Sequence, residues 1–382
     1  MIQLIGMLDA ELAELSLFLH CLRRDRMKKK ERNGKIDFLK FIMSFAVITY
    51  HFGNAVKYEN EWFQKGYMAV EFFFIVSGYL FAKSLEKYRN IDDGRIISSS
   101  LSFMGKKYVG LLPYHIFMCI ATFIVFGIQK GWDAAMVLAR IPDLLLIGMG
   151  GIHNMSEAGH EWYISAMLIV MFVLTPVMIK YREVFSKYIA PVLVLLVFGY
   201  ITQNNNSLDL VYTWNGTVYL GILRALAEIS LGVICYEVSQ SGIIEKAKGL
   251  PLRIAEVMAY VLFIVYMWGG FCKDYDSSVE FTLVLVIAVG ITLSFSDKTS
   301  IRLLNNKFVH FLGKLSLPIY LNHIYIRQLL IGQLLPQEDW QYGYLPHLGI
   351  YILLVLGASL LCMVTMDNVL KLIRNFRKKT HV

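Results

Sequence analysis

Ten stretches of this 382-residue chain are apolar over about the length that crosses a bilayer, and nothing else in it constrains the fold as strongly. They lie near 36–54, 66–85, 108–128, 161–179, 188–203, 217–238, 254–272, 280–296, 310–334 and 347–369. A β-barrel strand would alternate over about ten residues, and these runs are longer and continuous. In hydrocarbon each segment has to satisfy its own backbone N–H and C=O groups, so such runs fold as helices. The chain therefore reads as all-α, a polytopic membrane helical bundle of about ten transmembrane helices. Composition agrees: charged residues make up 17%, against about 25% in a soluble domain. One further run, DAAMVLARIPDLLLIGMG at 133–150, carries Arg140, Pro142 and Asp143 in its middle and reads as an interfacial or re-entrant piece.

Lysine and arginine set the orientation. KKKERNGK precedes the first run, and KSLEKYRN, KYREVFSK, IIEKAKGLPLR and SDKTSIRLLNNK fill alternate connections after it, with KLIRNFRKK at the end. All of these fall on one side, so both termini are expected in the cytoplasm. Residues 1–34 form an N-terminal cytoplasmic extension, 35–370 one transmembrane domain and 371–382 a basic cytoplasmic tail. Residues 1–26 match the remainder poorly, and Met27 is read as the natural start. The formal charge of +8 gathers at helix ends, which suits the headgroups of a lipid bilayer and argues against nucleic acid. The cysteines are five, with no C-x-x-C spacing, and read as thiols in apolar runs, neither a disulfide framework nor a metal site.

Ionisable groups inside a bilayer are costly and by default mark function. Lys40 and His51 stand eleven positions apart in KFIMSFAVITYH. At ~100° and ~1.5 Å per residue they share one face of a helix, ~16 Å apart along its axis. Lys40 suits an anionic ligand or snorkelling to the headgroups; His51 suits a base or a helix end. The hairpin to the second run brings Glu71 to the depth of His51, where a carboxylate would orient the imidazole as half of a proton relay. Ser77, about half a helix length below, is a weak nucleophile candidate; with Gly78 it also suits close helix packing. Asp37 can pair with Lys40 one turn on. Lys106 and Lys107 extend the basic mouth, fit for a polyphosphate or for headgroups. Trp162 opens the fourth run, as a belt aromatic or a substrate contact. Arg224 and Glu228 form an i,i+4 ion pair of structural character. Asn322 and His323, beside Pro318, could bond a substrate or join helices.

IDFLKFIMSFAVITYHFG, VEFFFIVSGYLFA and LGKLSLPIYLNH together resemble the acyltransferase 3 family, integral-membrane acyltransferases of bacterial surface glycans. The resemblance covers about residues 35–370. The basic residue, ten residues, then histidine is met by Lys40 and His51, with lysine where arginine is commoner. The second motif is met by Val70, Glu71, Phe73, Phe74, Ser77 and Gly78, the late one by Ser316, Tyr320, Leu321 and His323, and the tryptophan of a middle span by Trp162. One departure is Gly110, where the family often carries the second basic residue of R-x-x-R.

The resemblance implies transfer of an acyl group, typically acetyl, from acyl-CoA as co-substrate to a hydroxyl of a glycan or lipid-linked saccharide, at the inner or plasma membrane. Lys40, Lys106 and Lys107 would hold the CoA phosphates, and His51 with Glu71 would deprotonate the acceptor. The oxyanion donor stays open among Ser77, Trp162, Asn322 and His323, and so does an acyl-enzyme. The competing reading is a transporter or flippase of lipid-linked saccharides.

Overall fold

The computed structural model describes residues 32–57, 62–131, 138, 140–152, 161–205, 207–269, 277–334 and 343–379. The Met27 start lies outside the described residues. Ten long helices fall on the ten apolar runs, and no named strand occurs among the described residues. They are α1 (Gly34–Val56), α2 (Ala69–Leu85), α3 (Ile96–Lys130), α4 (Trp162–Lys180), α5 (Ala190–Asn204), α6 (Leu220–Gln240), α7 (Gly249–Trp268), α8 (Ser277–Ser294), α9 (Lys307–Leu329) and α10 (Tyr344–Lys379). The 133–150 piece is short turns where described: Ile141–Leu144 is helical and Gly148–Gly150 a 3₁₀ turn, with Leu146 and Met149 buried.

Seven of the ten, α1 to α5, α7 and α10, are long and apolar enough to cross a membrane. In α6 and α9 the buried polar residues Arg224, Glu228, Asn322 and His323 dilute the apolar run. Those side chains turn into the bundle, the one place in a bilayer where they find partners. Buried fraction sorts the layers. The apolar stretches of α1, α2 and α4 are 67%, 72% and 72% buried, against 33% for α3, α5, α7 and α10. The outer helices present apolar stripes, such as Ile116, Ile120, Ile124 and Ile128 of α3 at successive turns. Such a stripe would be an aggregation hazard in water and is the natural face toward lipid. The chain is a multi-pass membrane protein.

Two helix pairs organise the interior, α2 along α6 and α1 along α9. Glycine permits the first. A Cβ on Gly78 would come within 2.2 Å of the Ile229 carbonyl oxygen, and one on Gly232 within 2.2 Å of the Ile75 carbonyl oxygen. Small residues at such crossings let two backbones touch. In the second pair the Ser44 hydroxyl donates across to the Ser316 carbonyl at 3.3 Å. At the basic end of the bundle Asn33 caps α1, its side chain accepting from the backbone N–H of Lys35 and Ile36. Lys35, at the start of α1, is buried against Glu256 of α7 at 2.7 Å and fixes that corner.

α3 is longer than its apolar run, beginning at Ile96 rather than near 108. The added turns, SSSLSFMGKK, are polar but contain no proline, so the helix continues past the hydrocarbon edge into the basic end. For the same reason α10 runs on to Lys379, into the segment expected as a tail.

Candidate functional site

Two cavities open at the basic end, between the helices that carry the expected site residues. One, of about 550 Å³, has Lys40, Lys106, Lys107 and Lys314 at its mouth. It reaches inward to Phe73, Ser77, Tyr163 and Tyr320. The other, of about 510 Å³, lies beside Arg32, Lys35, Lys40 and Lys83. Lys40 lines both.

Lys40 does not pair with Asp37 as expected. Arg32 takes the Asp37 carboxylate through two hydrogen bonds of 2.8 Å, and His310 Nδ1 lies 2.8 Å from it. Gly313 makes room for this, since a Cβ there would fall 2.4 Å from Asp37 Cβ. A bidentate guanidinium outcompetes an ammonium one turn away. Among the described residues Lys40 is left with no carboxylate in ion-pair range, and its ammonium faces cavity space.

At the inner end an unbroken file of rings leads from the cavity to His51. Tyr163 and Tyr320 meet edge-on with ring centres 5.6 Å apart. Tyr320 lies 5.7 Å from His323, and His323 5.0 Å from His51. His323 Nδ1 is 2.5 Å from the Tyr320 carbonyl oxygen. A carbonyl only accepts, so Nδ1 carries the proton and Nε2 is the basic nitrogen of the neutral ring. Arg327 donates to the His51 carbonyl at 3.1 Å and fixes the backbone there. Asn322 spends its amide N–H locally, donating to the Pro318 carbonyl at 2.8 Å.

Glu71 is placed differently from the expectation. Its Oε1 accepts from Arg224 Nη2, and its Oε2 has no hydrogen-bond partner, so Glu71 does not orient His51. The Arg224–Glu228 pair is present, at 3.2 Å, and Glu71 joins it to make a triad sealed at 0–1% exposure. The reason is competition. Helix depth alone put Glu71 level with His51, but a buried carboxylate goes to the guanidinium when one is in reach. Arg224 also donates to the Leu208 carbonyl at 2.6 Å, and its guanidinium stacks 5.3 Å over the Trp162 ring. Trp162 is thus a wall of the charged triad, not a belt residue. Next to it Glu161, just outside α4, is held well above the usual carboxylate range by burial and then by the Asp143 carboxylate.

Among the cavity residues the sequence reading passed over are Lys314, Tyr163 and Asp367, and it gave Tyr320 only as part of the late motif. Tyr163 directly follows Trp162, and Tyr320 lies inside the late motif; only the folded chain puts Tyr163 against Ser77 and Tyr320 against Tyr163.

The helical bundle thus holds a cavity lined by clustered lysines and by the hydroxyls of Ser77, Tyr163 and Tyr320, with buried His323 and half-buried His51 beyond it, an arrangement of membrane-enzyme type. The family model described as an acyltransferase domain, that of the acyltransferase 3 family, matches residues 33–364, and the chain belongs to that family. It is a membrane acyltransferase, which sets the transporter reading aside. No curated protein and no solved structure matches the chain.

Proposed function

We propose that this membrane acyltransferase takes an acetyl or other short acyl group from cytoplasmic acyl-CoA and transfers it to a hydroxyl of a cell-surface or lipid-linked glycan. The observation that carries this reading is the polarity gradient of the larger cavity. Its lining holds four lysines and one carboxylate, Asp367, apolar walls such as Met167 and Leu317, and the hydroxyls of Ser77, Tyr163 and Tyr320, with the imidazoles of His323 and His51 past Tyr320 and outside the lining. Acyl-CoA has the same order, a polyphosphate head, a flexible pantetheine arm and a thioester. Lys40, with no carboxylate in ion-pair range among the described residues, is the main phosphate contact in this reading, with Lys106 and Lys107 beside it. The basic end is then the cytoplasmic one, and the membrane is the inner or plasma membrane.

His51 acts as the general base on the acceptor hydroxyl, which approaches from the opposite end. A positioned base contributes about 10²–10⁴-fold. His323, tilted against it with Nε2 as the basic nitrogen, is the second imidazole of the site. Glu71 acts through Arg224 and holds α2 against α6, a change from its expected part in the relay.

The test is transfer of label from radiolabelled acetyl-CoA into envelope glycan, in membranes holding wild type or His51→Ala at matched expression. Transfer that vanishes in the variant supports the reading. Equal transfer by both removes His51 from the chemistry, and no transfer with any short acyl-CoA removes the donor assignment.

A further inference from the structure

Serine and threonine in a membrane helix ordinarily satisfy their hydroxyl on the carbonyl one turn back. This chain follows that habit repeatedly. Ser44 bonds the Lys40 carbonyl, Ser100 that of Ile96, Thr175 that of Met171, Thr292 that of Ala288 and Ser359 that of Val355. Ser77 breaks it. Its Oγ hydrogen-bonds Tyr163 Oη at 3.0 Å, across the α2–α4 contact, and leaves the Phe73 carbonyl alone. Both residues line the inner end of the larger cavity, where Ser77 is the more exposed of the two. Tyr163 is held by its ring, edge-on to Phe73 and Tyr320 and 4.5 Å from Phe74.

We infer that the Ser77–Tyr163 pair is the anchor for the thioester carbonyl oxygen, with Ser77 as its hydrogen-bond donor and Tyr163 as the residue that positions Ser77; this rests on the acyl-CoA reading above. The pair has two O–H groups and one internal bond, so one O–H remains to give outward. Tyr163 donates to Ser77 Oγ, and Ser77 donates into the cavity, each bond polarising the next. As the acceptor oxygen bonds to the carbonyl carbon, the C=O pair moves onto oxygen and Ser77 steadies the charge. The pair then returns, the C–S bond breaks and CoA leaves as thiolate. The acceptor proton goes to His51 and on to that thiolate. Neither Ser77 nor Tyr163 exchanges a proton, and Ser77 forms no acyl-enzyme.

Loss of Ser77 is expected to lower kcat by about 10²-fold, as for one oxyanion donor, and to raise donor KM by no more than the roughly 2–10-fold that one ground-state hydrogen bond is worth. Tyr163→Phe keeps the ring contacts but frees Ser77 to return to the Phe73 carbonyl, so its loss approaches that of Ser77→Ala. The deciding measurement compares two donor analogues on wild type, Ser77→Ala and Tyr163→Phe. One is the ketone in which methylene replaces the sulfur of acetyl-CoA; the other is S-ethyl-CoA, which lacks the carbonyl oxygen. Wild type is expected to prefer the ketone roughly 2–10-fold, the worth of one hydrogen bond. Both variants should bring the ratio to about one while S-ethyl-CoA affinity, the control for folding, stays put. Ser77→Thr restores the hydroxyl and should restore the preference. A preference retained by both variants, or missing from wild type, overturns the pair as anchor while leaving the donor intact. Wild type that binds neither analogue overturns the donor reading itself.

Discussion

At the scale of single residues, charge balance separates the parts of Arg224, Glu71 and Lys40. Arg224 faces two buried carboxylates, Glu71 and Glu228, and removing it strands both. Breaking a buried pair from one side costs about 3–5 kcal/mol. Arg224→Ala is therefore expected to fail to accumulate as folded protein, seen as loss of the monodisperse peak in detergent. Glu71→Gln leaves one guanidinium with one carboxylate and is expected to keep that peak; a variant that folds but shifts the acidic limb of the pH–rate profile would return Glu71 to the His51 relay. Gly110 bears on the donor side. A side chain there meets nothing within 4 Å, beside Lys106 and Lys107 at the cavity wall. Gly110→Lys is expected to lower donor KM about two- to fivefold, the range of an added exposed charge. An unchanged KM would place the donor's phosphates elsewhere. Much of this site was legible beforehand: spacing alone marked Lys40 and His51, and the motifs marked Ser77 and His323. The partners were not. Asp37 going to Arg32, or Glu71 to Arg224, is decided by which cation reaches the carboxylate first, and only packing fixes that.

At the scale of elements, the α2–α6 crossing sets the register of the interior. Gly78 and Glu71 lie two turns apart on α2, and Gly232 and Arg224 just over two turns apart on α6, so the glycine contact and the ion pair are two points of one seam. Neither glycine can gain a methyl without moving backbone. Gly78→Ala and Gly232→Ala are each expected to lower stability by about 1–3 kcal/mol, the range for overpacking a filled interior. Thermal denaturation in detergent reads this as a lower midpoint, and Gly110→Ala, with open space around it, serves as the contrast that loses nothing. The helices themselves were legible because membrane-length apolar runs admit no other backbone solution. Their ends were less so. α3 and α10 extend beyond their apolar stretches because hydropathy marks where the hydrocarbon stops, while hydrogen bonding and the absence of proline decide where a helix stops.

At the scale of the whole molecule, polarity runs along the bundle. Lys40, Lys83, Lys106, Lys107 and Lys314 open onto the cavities at one end, and the histidine pair lies beyond their inner limit. An acyl-CoA bears several phosphate charges and does not cross a bilayer, so the proposed donor would be used from the side on which the lysines lie. In sealed vesicles of one orientation, transfer is expected only when acetyl-CoA is supplied to the face carrying the basic clusters. Permeabilising the opposite orientation should restore it. Salt separates this reading from mere sidedness. At the mouth Lys314 is exposed and Lys40, Lys106 and Lys107 are half-buried, and in solvent screening shortens the reach of a charge from about 10 Å at 0.1 M to about 3 Å at 1 M. Donor KM should therefore climb steeply over that range. Turnover at saturating donor should hold, because Tyr163, Tyr320 and His323, the rings that lead to His51, are buried. A KM that ignores salt would mean that the lysines hold lipid headgroups rather than the donor. A turnover that falls with it would place the charged contacts at the reacting atoms instead of at the mouth.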